Sequence, residues 1–103
     1  MPKSLLSSNV RRNGKFHLGG LVMTPGVHNL MMTQDLNPMY YVGRHLLGDW
    51  GDIPDEDKLS NEEYLVKGGR LFSAYDVPDP VARIWVITEA DRSSTTVLLP
   101  SEY

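Results

Sequence analysis

The fold is decided by the stretch Ile84-Trp85-Val86-Ile87-Thr88-Glu89-Ala90-Asp91-Arg92-Ser93-Ser94-Thr95-Thr96-Val97-Leu98-Leu99-Pro100, near the end of a 103-residue chain. Two runs rich in β-branched residues flank a short polar turn, and this pattern is typical of a β-hairpin. The turn and the adjoining strand ends carry more charged and hydroxyl side chains than a turn requires. These are Thr88, Glu89, Asp91, Arg92, Thr95 and Thr96. The hairpin is therefore also the first candidate site.

The whole C-terminal third reads as β-structure. Strands over 70–76, 82–89 and 94–99, joined by short connections, predict an antiparallel meander. Both faces of 82–89 are largely apolar, so we expect this strand to be central. An earlier strand is predicted over 16–23, where the pair Gly19-Gly20 suggests a bulge or a close backbone approach.

Capping signals divide the middle of the chain into helices. Thr24-Pro25 and Asn37-Pro38 each place a capping side chain before a proline in the first turn, and Asp52-Ile53-Pro54 is a third such signal. The expected helices are near 38–47 and 53–67, after a short one through Val27. The fold class is α+β: an antiparallel sheet of three to four strands with two to three helices packed on one face. Residues 1–15 read as a loose N-terminal arm and 16–103 as a single α+β domain.

Composition limits the function classes. The chain has no cysteine, which excludes disulfide frameworks, thiolate metal sites and thiol nucleophiles. No apolar run approaches the roughly 20 residues that span a bilayer, and the N-terminus lacks the continuous apolar stretch of a signal peptide. We therefore expect a soluble, cytoplasmic protein with no membrane partner.

Charge is unevenly distributed along the chain. Residues 1–34 contain four cations and no acid, whereas 49–63 contain seven acids and one cation, Lys58. A dense acidic segment disfavours nucleic acid as a partner and favours a basic protein. The alternative is that the segment is simply a solvated helix face.

Three sequence blocks resemble a known bacterial family. They are His45-x-x-Gly-Asp-Trp-Gly-Asp52, Arg70-x-x-Ser-x-Tyr75 and Trp85-x-Ile-Thr-Glu-Ala-Asp-Arg-Ser-x-Thr-Thr-x-Leu-Leu-Pro-x-Glu-Tyr103. The family comprises small proteins of plasmids, integrated elements and phage-like islands, usually labelled plasmid-related. The resemblance covers 16–103 and leaves the basic arm outside. It implies a setting among mobile elements and implies no activity.

One combination of residues predicts catalysis. His45, Glu89 and Arg92 are the base, acid and phosphate-binding group that small endoribonucleases use, and Tyr75 and Trp85 could stack bases. The competing interpretation is structural. His45 lies at a helix end and interacts with the carbonyl groups there, while Arg92 pairs with Glu89 or Asp91 to hold the turn. Under either interpretation, we expect the Arg92 guanidinium to bind one of those carboxylates or a helix-end group near His45.

The sequence also offers a possible metal site that includes His45. His45, Asp49 and Asp52, completed by Glu89 or Asp91, would suit magnesium or manganese. However, Asp49 and Asp52 have competing roles in a turn and as a helix cap. We therefore expect no metal and no cofactor.

Trp50, in the Gly-Asp-Trp-Gly-Asp loop, has two possible roles. It is either a core residue or an exposed anchor for a partner. The function favoured by sequence is a non-catalytic accessory protein of a mobile element. It would bind a host or element protein, such as one of a defence system, through its acidic face. A protein partner is expected but not identified, and homo-oligomerisation stays open. The candidate binding residues are Asp49, Trp50, Asp52, Asp55, Glu56, Asp57, Tyr75 and Asp91. A small phosphodiester-cleaving enzyme is the alternative.

Overall fold

The computed structural model describes residues 14–78 and 82–103, so most of the predicted N-terminal arm lies outside the described residues. The elements in chain order are β1 (Gly20–Met23), α1 (Pro25–Gln34), α2 (Pro38–Leu46), α3 (Asp55–Lys67), β2 (Leu71–Val77), β3 (Ala82–Thr88), β4 (Ser94–Leu98) and a terminal 3₁₀ turn (Pro100–Glu102). The predicted α+β class is confirmed, with three helices and a four-stranded sheet among these residues.

The sheet has the strand order β1-β4-β3-β2. The predicted hairpins β2–β3 and β3–β4 are antiparallel, and Trp85 of the central strand β3 pairs with Ala74 on one side and Leu98 on the other. β1 pairs in parallel with β4, so the sheet is mixed and not wholly antiparallel. A parallel neighbour requires a long crossover, which here contains all three helices.

β1 is shorter than the predicted strand 16–23. Gly19 has a φ of +68°, and a Cβ atom there would stand 2.4 Å from the backbone of Ser93. This is the close backbone approach that the glycine pair suggested, and it delays the strand until Gly20.

Two of the helix caps form as predicted. The Thr24 side chain accepts a hydrogen bond from the Val27 N–H at 3.4 Å, and the Asn37 side chain accepts one from the Met39 N–H at 2.9 Å. The third prediction is wrong, because α3 begins after Pro54 with no side-chain cap. The Asp52 carboxylate instead bonds the Arg83 guanidinium.

α1 and α2 cover one face of the sheet. The main core cluster joins Val27 and Met31 of α1 with Tyr41 and Val42 of α2. Against them pack the strand residues Tyr75, Val77, Ile84, Val86 and Val97. Burial of these apolar side chains supplies the main stabilisation of the fold.

α3 lies along the outer edge of β2, where the Asn61 side chain forms two hydrogen bonds with the backbone of Phe72. Its amide donates to the Phe72 carbonyl at 2.8 Å, and its oxygen accepts from the Phe72 N–H at 3.2 Å. Further along the same edge, Gly51 forms a parallel bridge with Ala74. The edge of β2 is therefore closed to further strands.

Within the described residues, no helix combines the length and apolar character needed to cross a membrane.

Candidate functional site

His45, the proposed catalytic base, lies in the interior on α2 with 0% of its surface exposed. Its Nδ1 is 2.6 Å from Ser73 Oγ and its Nε2 is 2.9 Å from Thr88 Oγ1. Burial, and to a lesser extent the charge of Arg92, lower the pKa of His45 to about 3. The imidazole is therefore neutral, and both of its nitrogens are occupied.

The hydrogen-bond chain around His45 fixes its tautomer. Thr95 Oγ1 donates its only proton to the Leu18 carbonyl at 2.8 Å, so Thr88 Oγ1 must donate across the 2.7 Å contact with Thr95. Thr88 then has no proton left for His45, and His45 Nε2 must carry the hydrogen. Nδ1 is the acceptor, and Ser73 donates to it.

The other two members of the catalytic set are not directed towards His45. Glu89 pairs with Arg70 at 3.4 Å on the outer surface. Arg92 is engaged by backbone carbonyls and lies close enough to His45 to affect its pKa. His45, Glu89 and Arg92 therefore do not surround one solvent-open cleft.

Arg92 binds carbonyl groups and neither of the predicted carboxylates. Its Nη1 donates to Gly69 O at 2.6 Å and to Glu89 O at 3.1 Å, and its Nη2 donates to Tyr64 O at 2.9 Å. Tyr64 lies in the last turn of α3, so the predicted helix-end contact is found, but on α3. Asp91 instead accepts from the Ser93 N–H. The Ser93 side chain and then this N–H lower the pKa of the Asp91 carboxyl.

The side chains considered as metal ligands form ion pairs or hydrogen bonds with other residues. Asp49 pairs with Arg44 at 2.7 Å, and this bond lowers the pKa of the Asp49 carboxyl. Asp52 pairs with Arg83, and His45 has no free nitrogen. Within residues 14–78 and 82–103, no group of three His, Cys, Asp or Glu side chains could hold a metal ion.

Trp50 belongs to the core. Only 4% of its surface is exposed, and its ring stacks on Phe16 and meets the edge of His45. Its indole N–H donates to Glu62 Oε2 at 2.8 Å, which ties the loop to α3. The reading of Trp50 as an exposed anchor is therefore wrong, because its polar atom and its ring both find partners inside the fold.

Tyr75 and Trp85 do not form a base-stacking pair. Tyr75 is 1% exposed, its hydroxyl donates to the Asp49 carbonyl at 2.5 Å, and burial raises its pKa. Trp85 is half-buried on the opposite face of the sheet, in edge contacts with Phe72 and Tyr103. The residues that we proposed to stack bases are thus separated by the sheet itself.

The acidic side chains remain at the surface. Asp49, Asp52 and Asp76 line an open cleft of about 370 Å³, together with Arg44 and the edge of Tyr75. Asp76 was missed from the sequence, although the β2–β3 register places it directly opposite Arg83, to which it bonds at 3.1 Å. Asp55, Glu56 and Asp57 are exposed in the first turn of α3, which begins three residues after Asp52. We call these six carboxylates the acidic surface.

Comparison of the chain with protein-family models, with curated proteins and with solved structures gives no match. What the chain does must therefore be inferred from its own residues and their geometry.

Proposed function

We propose that the chain is a non-catalytic protein-binding domain that binds a basic region of a protein partner through the acidic surface. The family resemblance suggests the setting, a bacterial mobile element. It makes a host or element protein, such as one of a defence system, the class of partner to seek.

The observation that supports this proposal is that the carboxylates are exposed, whereas His45, the proposed base, is buried with both ring nitrogens hydrogen-bonded. Arg44 and Arg83 pair with three of the carboxylates, Asp49, Asp52 and Asp76. Asp55, Glu56 and Asp57 lie exposed in the first turn of α3, where negative charge stabilises the helix start through its dipole. A surface with this excess of negative charge repels a phosphate backbone and attracts lysine and arginine side chains.

Affinity capture from the native host tests the proposal. The variant Asp55→Asn/Glu56→Gln/Asp57→Asn removes three charges without adding repulsion at the helix start. The matched control Asp35→Asn/Glu63→Gln removes exposed charges elsewhere. We expect a basic partner that the parent and the control retain, that the triple variant loses, and that added salt releases mainly by slowing association.

Two results would contradict the proposal. The first is a partner that binds the triple variant and the parent equally and is insensitive to salt. The second is cleavage of RNA by the purified parent that disappears in His45→Gln, since this would restore the phosphodiesterase alternative.

A further inference from the structure

The sheet ends at β1 on one side, and the outer side of this strand pairs with no other strand among the described residues. β1 is terminal in the strand order and lies beside β4. All of its residues are exposed, with 39% of the surface of Leu21 accessible, 49% of Val22 and 40% of Met23. The opposite edge, at β2, is closed by Asn61 and Gly51. β1 is therefore the open edge of the described sheet.

The outward backbone groups of β1 follow from its hydrogen bonds to the neighbouring strand. The N–H groups of Gly20 and Thr24 both donate to carbonyls in or next to β4, at 3.0 and 3.1 Å. Successive residues of a strand direct their N–H and C=O groups to alternate sides, so Leu21 and Met23 direct theirs away from β4. These two residues present two donors and two acceptors at the open edge.

The outward groups match a second copy of the same strand. In an antiparallel pair, two residues that face each other can exchange both of their hydrogen bonds. A two-fold axis beside Val22 sets Leu21 of each copy opposite Met23 of the other, and these bonds then use every outward donor and acceptor of the two residues. The same register ends at Gly19, whose φ is +68°, and at Pro25, which has no N–H. A longer partner strand therefore gains no further hydrogen bonds there.

The side chains along this edge are also suited to a second copy. Val22 faces its own equivalent across the axis, and Leu21 faces Met23, so every pair is apolar. Met23 borders an apolar pocket of about 360 Å³ that Met32, 70% exposed, also lines, so this pocket adjoins the open edge. Residues 16–34 contain no Asp, Glu, Lys or Arg. Such charges are a common protection of strand edges against pairing, and β1 lacks that protection.

We propose that a second copy of the chain pairs with the open edge of β1, antiparallel and about a two-fold axis at Val22, so that two four-stranded sheets join into one. Asp49, Asp52 and Asp76 of the acidic surface lie at the opposite edge, beside β2. The dimer therefore presents an acidic surface at each end and can bind a basic partner at two places. The contact at β1 uses different residues from the acidic surface and does not depend on the proposed function.

Sedimentation velocity at increasing protein concentration tests the proposal. The parent should pass from monomer to dimer. Val22→Lys should raise the dissociation constant of the dimer about tenfold or more, because it sets like charges opposite each other at the axis. The matched control Val66→Lys adds the same charge at an exposed valine of α3 and should leave the dissociation constant unchanged.

A charge-swap experiment tests the register. Val22→Glu alone should also be monomeric, but an equal mixture of the Val22→Lys and Val22→Glu chains should dimerise, because opposite charges then meet at the axis. A mixture that stays monomeric, or a dimer that Val22→Lys does not weaken, would overturn the proposal. Circular dichroism of each variant shows whether it is folded.

Amide hydrogen exchange of the parent gives a result that needs no variant. Exchange at the N–H groups of Leu21 and Met23 should slow as the protein concentration rises, whereas that of Val22, which already faces β4, should change much less. A parent that remains monomeric at every concentration would overturn the proposal. Slow exchange of Leu21 and Met23 in such a monomer would show that another segment of the same chain pairs with β1.

Discussion

Replacing Arg92 by alanine should destabilise the fold strongly, because one guanidinium joins three segments of the chain. It donates to Tyr64 O at the end of α3, to Gly69 O before β2, and to Glu89 O in the β3–β4 turn. Net hydrogen bonds from a charged donor contribute about 1.5–3 kcal/mol when buried, and these are half-buried. We expect Arg92→Ala to lower the free energy of unfolding by about 2–3 kcal/mol in total.

A second contribution allows a sharper test. Arg92 has a φ of +61°, the left-handed conformation that disfavours any residue with a Cβ atom by about 1–2 kcal/mol. Glycine relieves this strain but loses more entropy on folding, so Arg92→Gly should be more stable than Arg92→Ala by roughly 0.5–1 kcal/mol. Arg92→Lys keeps the charge but loses the planar fork and should fall between Arg92→Gly and the parent.

Urea unfolding and thermal melts of the three variants measure these differences. For a domain of this size, Arg92→Ala should lower Tm by about 10–15 °C. The control is Arg70→Ala, which removes an exposed arginine that contacts Glu89 and Tyr103 and should change the stability by less than about 1 kcal/mol. Equal stability of Arg92→Ala and Arg70→Ala would refute the three-segment contact. A glycine variant less stable than the alanine variant would refute the argument from backbone strain.

Three further measurements address the interior and the helix ends. His45 is neutral in the folded protein, with a pKa of about 3, but takes up a proton below about pH 6.5 in the unfolded chain. The free energy of unfolding should therefore fall as the pH drops from 6.5 towards 3, and His45→Gln should flatten this slope between pH 6.5 and 4.5, whereas an unchanged slope would contradict the assignment. Asn61→Ala should lower the free energy of unfolding, measured by urea melts, by about 2 kcal/mol because two backbone groups of Phe72 lose their partner. Asn61→Asp cannot donate to the Phe72 carbonyl and should not recover the lost stability. Glu102→Gln should lower the urea midpoint, because the Glu102 carboxylate binds the start of α1. Added salt should narrow the difference in midpoint between this variant and the parent. Equal midpoints in the absence of added salt would contradict this role.

Much of the fold could be predicted because its signals are local. Two-residue alternation located the three C-terminal strands, and Thr24 and Asn37 marked helix starts through contacts two or three residues away. The parallel pairing of β1 with β4 could not be predicted, because it joins residues more than seventy positions apart, such as Val22 and Thr96. Asp52 failed as a cap for the same reason, since its actual partner, Arg83, lies far along the chain.

The candidate site was harder to predict than the fold. The sequence singled out His45 and Arg92 as candidate catalytic residues, but their contacts are set by distant partners. His45 is held by Ser73 and Thr88, which are 28 and 43 positions away. A histidine with two hydroxyl partners in the core and a histidine in an open cleft have the same local sequence, and only the packing of α2 on the sheet separates them.

The residues that carry the family resemblance are largely those that hold the interior together. The first block contributes His45 and Trp50, the second contributes Ser73, and the last contributes Thr88 and Arg92. In the structure the ring of His45 contacts Trp50, Ser73 and Thr88 directly, and the charge of Arg92 acts on it. Each of these side chains has a structural partner inside the chain, so in this protein the three blocks serve the fold. Their presence alone therefore does not argue for catalysis, because the imidazole that a catalytic reading needs is itself one of the buried, fully bonded groups. A binding role is instead to be sought among exposed side chains, such as those in the first turn of α3.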